Sequence, residues 1–356
     1  MILEPLPGIK PIRLLVGSCV RKPPALLTAF LASLDRQIVP PNVVVDYFLL
    51  DDNDDPASAD VLTLWSQRDP AHRHIGAVPP DAARGGYSDA NSTTHLWDAQ
   101  AMTRVGQLKN GIIQCCCDQQ YDGLWLLDAD LLLAPRVLWS LYYTDAPIVC
   151  GVFWTQWQNE PACPALPQVW LRHPYQLDGR GWNSGDFLNT LSNRARVQVW
   201  GQGACTLYRT EVFRKGVNYA TVPDLPKEGM WAGEDRHLCT RAERFHVPMY
   251  ADAWPDIWHC YHPHQHADLD TWDARLREEA PGSPRRGDLV SLHLQAVEPV
   301  PQEGGGQRHI ERQHVRGVLG KLRLVRDLED AIPGLSRGES RILSVAYPPH
   351  AAAAIL

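Results

Sequence analysis

The sequence has no apolar run long enough to cross a membrane and no cluster of basic residues. None of its 356 positions begins a stretch of about 18 apolar residues, so no transmembrane span is expected. The opening residues, MILEPLPGIKPIRLLVG, lack the basic start, apolar core and small-residue cleavage site of a signal peptide. The formal net charge is −7 without a basic tail, so nucleic acid is not an expected partner.

The nine cysteines also lack the spacing of a metal site or a disulfide framework. No C-x-x-C pair is present, which argues against a structural zinc site. Cys115, Cys116 and Cys117 are adjacent on a predicted helix and cannot form a sensible set of disulfides. We therefore expect free thiols and a cytoplasmic protein.

Apolar segments alternate with amphipathic ones through the first half of the chain. Hydrophobic residues make up 44% and charged residues 21%, which suits a substantial core. Short apolar runs at 12–17, 43–50 and 124–127 predict strands, and the segments between them predict helices. This alternation predicts an α/β fold with a mostly parallel sheet flanked by helices. Ligands of such sheets bind beyond the carboxyl ends of the strands.

The composition changes near residue 280, where PGSPRRGD is typical of a linker. We expect one domain over 1–280. Residues 155–200 are rich in Pro, Trp and Asn and predict a long functional insertion. Residues 288–356 contain short β-like runs and predict a small β-rich accessory domain, through which the chain could form a homo-oligomer.

Two predicted strands end in acids: Asp51-Asp52 and Asp128-Ala129-Asp130. Paired carboxylates repel each other when both are ionised, and core packing does not require them at a strand end. A divalent cation removes the conflict, and oxygen ligands suit Mg²⁺ or Mn²⁺, which also bind diphosphates. The alternative is that these acids are simply solvated at the end of a strand.

The chain resembles glycosyltransferases of the GT-A fold, especially those of family 2, in a series of motifs that follow the order of that family. The matching segments are Val16–Pro23 (VGSCVRKP), Leu50–Asn53 (LDDN), Thr103–Arg104, Asp128–Asp130 (DAD), Gly201–Arg209 (GQGACTLYR), Gly233–Asp235 (GED) and Asp252 with His259. They span residues 10–265. The resemblance implies a Rossmann-like GT-A domain, with a nucleotide-sugar half over about 10–150 and an acceptor half over about 151–280.

The resemblance implies a role for each matching position. The residues implied in binding the nucleotide sugar are Val20, Arg21, Asp52, Arg104, Asp128 and Ala129. Asp130 and His259 are implied as metal ligands, with Asp128 as a possible third. The alternative is that His259 is a core or surface histidine whose hydrogen bonds are made within the protein. Three further histidines follow it, so the sequence does not single it out as the ligand.

Glu234 and Asp235 open a predicted helix and supply the implied catalytic pair. The matching Asp of inverting relatives takes the proton of the acceptor hydroxyl, and a helix N-terminus favours an ionised carboxylate. The alternative is that the two acids have no catalytic role, because acids are common in the first turn of any helix.

The resemblance therefore implies a Mn²⁺- or Mg²⁺-dependent transfer of sugar from a UDP- or GDP-linked donor. The acceptor could be a glycan, a lipid-linked molecule or a small molecule. Two rivals stay open: a sugar-1-phosphate nucleotidyltransferase, and an inactive sugar- or nucleotide-binding protein of the same fold. A nucleotidyltransferase usually has a glycine-rich phosphate loop after the first strand, whereas GSCVRKPP contains one glycine.

Overall fold

A computed structural model describes residues 11–40, 42–78, 99–157, 165–172, 184–225 and 233–272, and two strands at 289–299 and 307–318. The chain divides into two compact units, Met1–Glu278 and Glu279–Leu356. In the described part of the chain, no helix is long and apolar enough to span a membrane.

The first unit alternates strands and helices along most of its length. Its strands are β1 (Ile12–Val20), β2 (Val43–Asp51), β3 (Arg73–Ala77), β4 (Gly123–Asp128), β5 (Leu131–Leu133), β6 (Ile148–Gly151), β7 (Trp154–Thr155), β8 (Leu166–Pro167), β9 (Val169–Trp170), β10 (Arg196–Val199), β11 (Gly201–Gln202), β12 (Cys205–Arg209), β13 (Met249–Asp252) and β14 (Ile257–His259). Its helices are α1 (Pro24–Asp35), α2 (Pro56–Ser66), α3 (Ala99–Asp118), α4 (Val137–Thr144), α5 (Ser184–Ser192), α6 (Thr210–Arg214) and α7 (Asp235–Arg244), and a 3₁₀ helix covers Pro263–Asp268.

Eight strands form the central sheet in the order β10-β13-β6-β12-β4-β1-β2-β3. The pairs β4-β1, β1-β2, β2-β3 and β13-β6 are parallel. The strand β12 runs antiparallel to both of its neighbours, and β10 is antiparallel to β13. The predicted α/β fold with a large, mostly parallel sheet flanked by helices is confirmed. The strand β10 also places the end of the predicted 155–200 insertion in this sheet.

Both faces of the sheet are covered, because alternate residues of a strand point to opposite sides. Leu14 of β1 belongs to a buried cluster with side chains of α1, α2 and α4, whereas Leu15 belongs to a second cluster with α3 and α7. A Cβ atom added at Gly17 would collide with Ile112 of α3. Gly17 therefore allows α3 to pack closely against β1, which fixes the position of this helix.

A second, smaller sheet has the order β5-β14-β7-β8. The strand β5 begins directly after Asp130 and pairs with β14, so that His259 lies opposite Leu131. The backbone N–H of Cys260 donates to the carbonyl of Asp130 at 2.9 Å. This pairing brings a segment about 130 residues away in sequence beside the end of β4.

The second unit contains an antiparallel pair of strands, β15 (Leu289–Pro299) and β16 (Gln307–Val318), with Leu289 opposite Val318. An accessory or oligomerising role for this unit stays a prediction.

Candidate active site

Two strands that flank β1 in parallel, β2 and β4, bring their acidic ends to one edge of the central sheet. Val20 pairs with Asp51, and Cys19 pairs with Asp128, in the registers of β1 with β2 and of β1 with β4. The carboxyl ends of parallel strands share an edge, and this edge is where open α/β sheets bind ligands. The acids at 51–52 and 128–130, which are far apart in sequence, therefore converge on β1.

Some of the residues implied in nucleotide binding have their side chains in ion pairs at this edge, and others have their side chains in the core. Asp52 accepts hydrogen bonds from the Arg104 guanidinium of α3, and both residues are buried. Arg21 is paired with Asp54 at the surface. Val20 and Ala129 have side chains buried in the core, so only their backbones could contact a nucleotide.

Asp130 lies between a lysine and a histidine. Its Oδ2 is 2.6 Å from Nζ of Lys22, and its Oδ1 is 3.4 Å from Nε2 of His259. Oδ1 is buried and accepts no hydrogen bond in the described part of the chain. Burial opposes ionisation, but the Lys22 ammonium and the His259 imidazole hold the pKa of Asp130 well below its usual range. Asp130 is therefore an ionised carboxylate with one oxygen available to a ligand.

The imidazole of His259 is held in place through the nitrogen that does not face Asp130. Its Nδ1 is 2.7 Å from Oγ1 of Thr155, which also accepts a hydrogen bond from the Gln168 amide at 2.9 Å. Such a contact fixes the ring of a metal-binding histidine and leaves its other nitrogen to face the ligand. By contrast, His262 contacts the carbonyl of Gln156 through Nε2 at 2.7 Å. Of these two histidines, His259 faces Asp130.

Lys109 of α3 connects the end of β4 with the start of α7. Its side chain is 1% exposed, and its Nζ lies 2.7 Å from Oε1 of Glu234. The same Nζ is 3.4 Å from Oδ1 of Asp235 and 3.4 Å from Oδ1 of Asp128. These carboxylates raise the pKa of Lys109 well above its usual value despite the opposing effect of burial. One buried ammonium therefore holds three acids together.

Asp235 is the first residue of α7, as predicted, but its electrostatic environment differs from the expectation. Burial raises its pKa to about 7, and the charges of Glu234 and Asp128 add to this, while Lys109 opposes it. The expected effect of the helix N-terminus, which favours ionisation, is therefore outweighed. A carboxyl group that titrates near neutral pH can both accept and release a proton.

The residues present fit a divalent cation that has few protein ligands. In the described ranges, no three Asp, Glu, His or Cys side chains converge as a ready metal site. Asp130 and His259 are adjacent, whereas partial burial and the charge of Asp130 raise the pKa of Asp128, which contacts Lys109. Mg²⁺ and Mn²⁺ commonly take one or two protein ligands and complete their shell with substrate phosphates and water. The Oδ1 of Asp130, which has no hydrogen-bond donor among the described residues and faces His259, suits such a cation.

Lys22 and Lys109 are the members of this site that the sequence interpretation missed. Lys22 lies inside the VGSCVRKP segment that was matched to the family, but no role was assigned to it. Lys109 is four residues after Val105 and eight after Ala101, so it falls on the same face of α3 as these apolar residues. A lysine within an apolar face was the available signal for a buried ion pair.

An open groove of about 490 Å³ lies elsewhere, between α1 and residues 266–272. It is lined by Ala29, Arg36 and Trp272, among others, and by none of the candidate site residues.

Comparison with known proteins finds similarity among solved structures alone. No protein-family model and no curated protein matches the chain. Three similar structures are TarS 1–349 of S. aureus (10% identity over 76% of this chain and 66% of that chain, TM-score 0.41), GalNAc-T7 with UDP, GalNAc and Mn²⁺ (12%, 70%, 44%, 0.46) and the mannosyltransferase PcManGT of Pyrobaculum calidifontis with GDP-Man and Mn²⁺ (14%, 78%, 68%, 0.38). The chain thus spans less than two thirds of TarS 1–349 and of GalNAc-T7. These likenesses are distant.

Proposed function

We propose that the chain is a metal-dependent glycosyltransferase of the GT-A type, which transfers a sugar from a nucleoside-diphosphate sugar to an acceptor hydroxyl. The observation that carries the proposal is the meeting of two different groups at one sheet edge. Asp130 and His259 are two neighbouring candidate ligands for a cation, and Lys109 joins the buried Glu234 and the mostly buried Asp235 to Asp128 at the end of β4.

The charge of the site supports a divalent cation. Asp128, Asp130, Glu234 and Asp235 supply four carboxylates, whereas Lys22 and Lys109 supply two ammonium groups. With the four acids ionised, two negative charges remain in a largely buried cluster. Uncompensated charges of this kind are costly, and one divalent cation would balance them.

Asp130 and His259 would hold the cation, and Asp128 lies next to them. When bound, a divalent cation neutralises the charge that develops on a departing diphosphate, a contribution of several kcal/mol. Lys22 is close enough to Asp130 to face the same diphosphate. The nucleoside would lie at the adjacent end of β2, beside the Asp52–Arg104 pair.

Asp235 is the proposed base. Its carboxylate takes the proton of the acceptor hydroxyl while that oxygen forms a bond to the anomeric carbon. The bond between this carbon and the diphosphate oxygen breaks, and its electrons leave with the nucleoside diphosphate. Attack opposite to the leaving group inverts the anomeric centre. Lys109 keeps the carboxylate in place and close to the end of β4.

The two rivals predict different products, so an assay of the released nucleotide separates them. The purified chain is incubated with UDP- and GDP-hexoses, with and without Mn²⁺, and the products are resolved by ion-exchange chromatography. A glycosyltransferase slowly hydrolyses its donor to a nucleoside diphosphate. A nucleotidyltransferase, given sugar-1-phosphate and a nucleoside triphosphate, releases pyrophosphate, whereas an inactive binding protein binds nucleotide without any product.

The matched variants are Asp130→Asn in the site and Asp60→Asn on the exposed surface of α2. We expect Mn²⁺-dependent formation of UDP or GDP by the wild type and by Asp60→Asn, and a loss of at least about 100-fold in Asp130→Asn. Release of pyrophosphate, or equal hydrolysis by all three proteins, would rule the proposal out.

A further inference from the structure

The two oxygens of the Asp130 carboxylate have different surroundings. Oδ2 is bound to the ammonium of Lys22 at 2.6 Å, whereas Oδ1 is buried without a hydrogen bond and faces His259. One oxygen of the proposed cation ligand Asp130 is thus already bound to a positive charge of the chain, the Lys22 ammonium. Both partners are largely buried, with 15% of the Lys22 side chain and 9% of the Asp130 side chain exposed.

The backbone of Lys22 is anchored, which limits how far this charge can move. Its N–H donates to Oδ1 of Asn53 at 2.9 Å, and its carbonyl accepts from Oγ of Ser58 at 2.8 Å. Pro23 and Pro24 follow and restrict the next φ angles. The flexible side chain, and not the loop, is therefore the part that can swing away from Asp130.

An ammonium and a divalent cation compete for the same carboxylate. Like charges about 4 Å apart repel by several kcal/mol at the effective dielectric near a protein surface. A cation that arrives alone at Oδ1 lies close to the Lys22 ammonium on Oδ2, and the repulsion between the two charges weakens its binding or pushes Lys22 away from Asp130. A diphosphate removes this conflict, because its oxygens accept both the cation and the displaced lysine.

We propose that Lys22 is an internal counter-ion of Asp130, which keeps the divalent cation weakly bound until a nucleoside diphosphate binds with it. The proposal rests on the proposed function, since it assumes that the site takes a diphosphate. It assigns to Lys22 the coupling between cation and nucleotide. Binding of the cation without nucleotide is then suppressed.

The test measures the affinity for Mn²⁺ by electron paramagnetic resonance of the free ion, with Mn²⁺ alone and with Mn²⁺ plus UDP or GDP. The variants are Lys22→Met, Lys22→Arg, Asp130→Asn and Lys215→Met, the last of which removes an exposed lysine outside the site. Melting followed by tryptophan fluorescence checks that each variant is folded.

We expect the wild type to bind Mn²⁺ weakly alone and at least about tenfold more tightly with nucleotide, a difference of about 1.4 kcal/mol. Lys22→Met should bind Mn²⁺ alone at least about tenfold more tightly than the wild type. Lys22→Arg and Lys215→Met should behave like the wild type, and Asp130→Asn should bind no Mn²⁺ in either condition.

Two results would overturn the inference, and they are distinguishable. If Mn²⁺ and nucleotide bind together to the wild type, but Lys22→Met binds Mn²⁺ alone no more tightly, the role of Lys22 is wrong and the proposed function stands. If the wild type binds Mn²⁺ no better with either nucleotide, both the coupling and the proposed donor site fall.

Discussion

Replacement of Lys109 by methionine tests the buried charge cluster directly. Methionine retains most of the length and the apolar stem of lysine but removes the ammonium that contacts Glu234, Asp235 and Asp128. Removing one partner of a buried ion pair costs about 3–5 kcal/mol, because the remaining charge is uncompensated. Glu234 and Asp235 carry most of this cost, since 39% of the Asp128 side chain is exposed and solvent screens it.

The size of this loss should depend on pH. The lysine is charged throughout the range from pH 5 to 8 in both the folded and unfolded states, because its folded pKa lies above an already high usual value. Without it, the folded-state pKa of Asp235 rises further above its unfolded value, because Lys109 is the charge that opposes the shift. An acid whose pKa is raised on folding destabilises the protein as pH rises towards the folded pKa. The cost of Lys109→Met should therefore be small near pH 5 and increase as pH rises through about 7, up to the still higher folded pKa of Asp235 in the variant.

Urea unfolding followed by tryptophan fluorescence provides the assay. All thirteen tryptophans lie between residues 65 and 272, so the signal reports the first unit alone. A total stability of about 5–15 kcal/mol leaves room to measure the loss. The double variant Lys109→Met with Glu234→Gln is the control, since removing the nearest acid should restore at least about half of the loss. A loss below about 1 kcal/mol at pH 8, or one that does not change with pH, would refute the role of the cluster.

Three further predictions concern groups around the same edge. Asp235→Asn should lower the rate of sugar transfer by about 10²–10⁴-fold. Without metal, its free energy of unfolding should equal that of the wild type near pH 4 and exceed it by up to about 4 kcal/mol once pH has risen through about 7. The reason is that the raised pKa of Asp235 makes its ionisation costly in the wild type, at about 1.4 kcal/mol per pKa unit. If the free energy of unfolding depends on pH in the same way in the wild type and in Asp235→Asn, this assignment is contradicted. Arg104→Met should lower the free energy of unfolding of the first unit by about 3–5 kcal/mol, because it leaves Asp52 buried without the arginine. In urea unfolding, the double variant with Asp52→Asn should recover most of that loss, whereas additive losses would contradict the pairing. Gly17→Ala should cost about 1–3 kcal/mol and weaken nucleotide binding in calorimetry, because the new methyl group displaces α3 at Ile112; unchanged binding would show that the helix position is not critical.

The strands that carry the site were predictable from local sequence. Buried parallel strands are typically apolar along their length; the run before Asp128 is of this type, and the run before Asp51 is apolar apart from Asp46. Their acidic ends, combined with the rule for ligand sites in α/β sheets, predicted a site at one edge of the sheet, and the structure brings these acids together at that edge. Local patterns were sufficient here because each strand is specified by its own residues.

The choice among the histidines needed tertiary information. The four residues His259, His262, His264 and His266 are nearly equivalent in sequence. The pairing of β14 with β5 selects His259, since it sets that residue opposite Leu131 and next to Asp130. This contact joins segments about 130 residues apart, and single-sequence periodicity carries no information about it.

The two lysines show a different limit of sequence interpretation. Lysine side chains are mostly exposed in proteins, so a lone lysine in a strand-to-helix segment or on a helix predicts a solvated charge. Lys22 and Lys109 are buried because acids from other elements surround them. The raised pKa of Asp235 has the same origin, since the position of Asp235 in α7 was predictable but the burial of the carboxylate was not.

The most direct test of the cation site is a crystal grown with Mn²⁺ and UDP, or GDP where UDP does not bind, measured at the manganese absorption edge. We expect one anomalous peak within about 2.5 Å of both Oδ1 of Asp130 and Nε2 of His259, with the diphosphate on its open side. Nucleotide bound at this edge without a manganese peak beside Asp130, or a peak on other residues, would contradict the account.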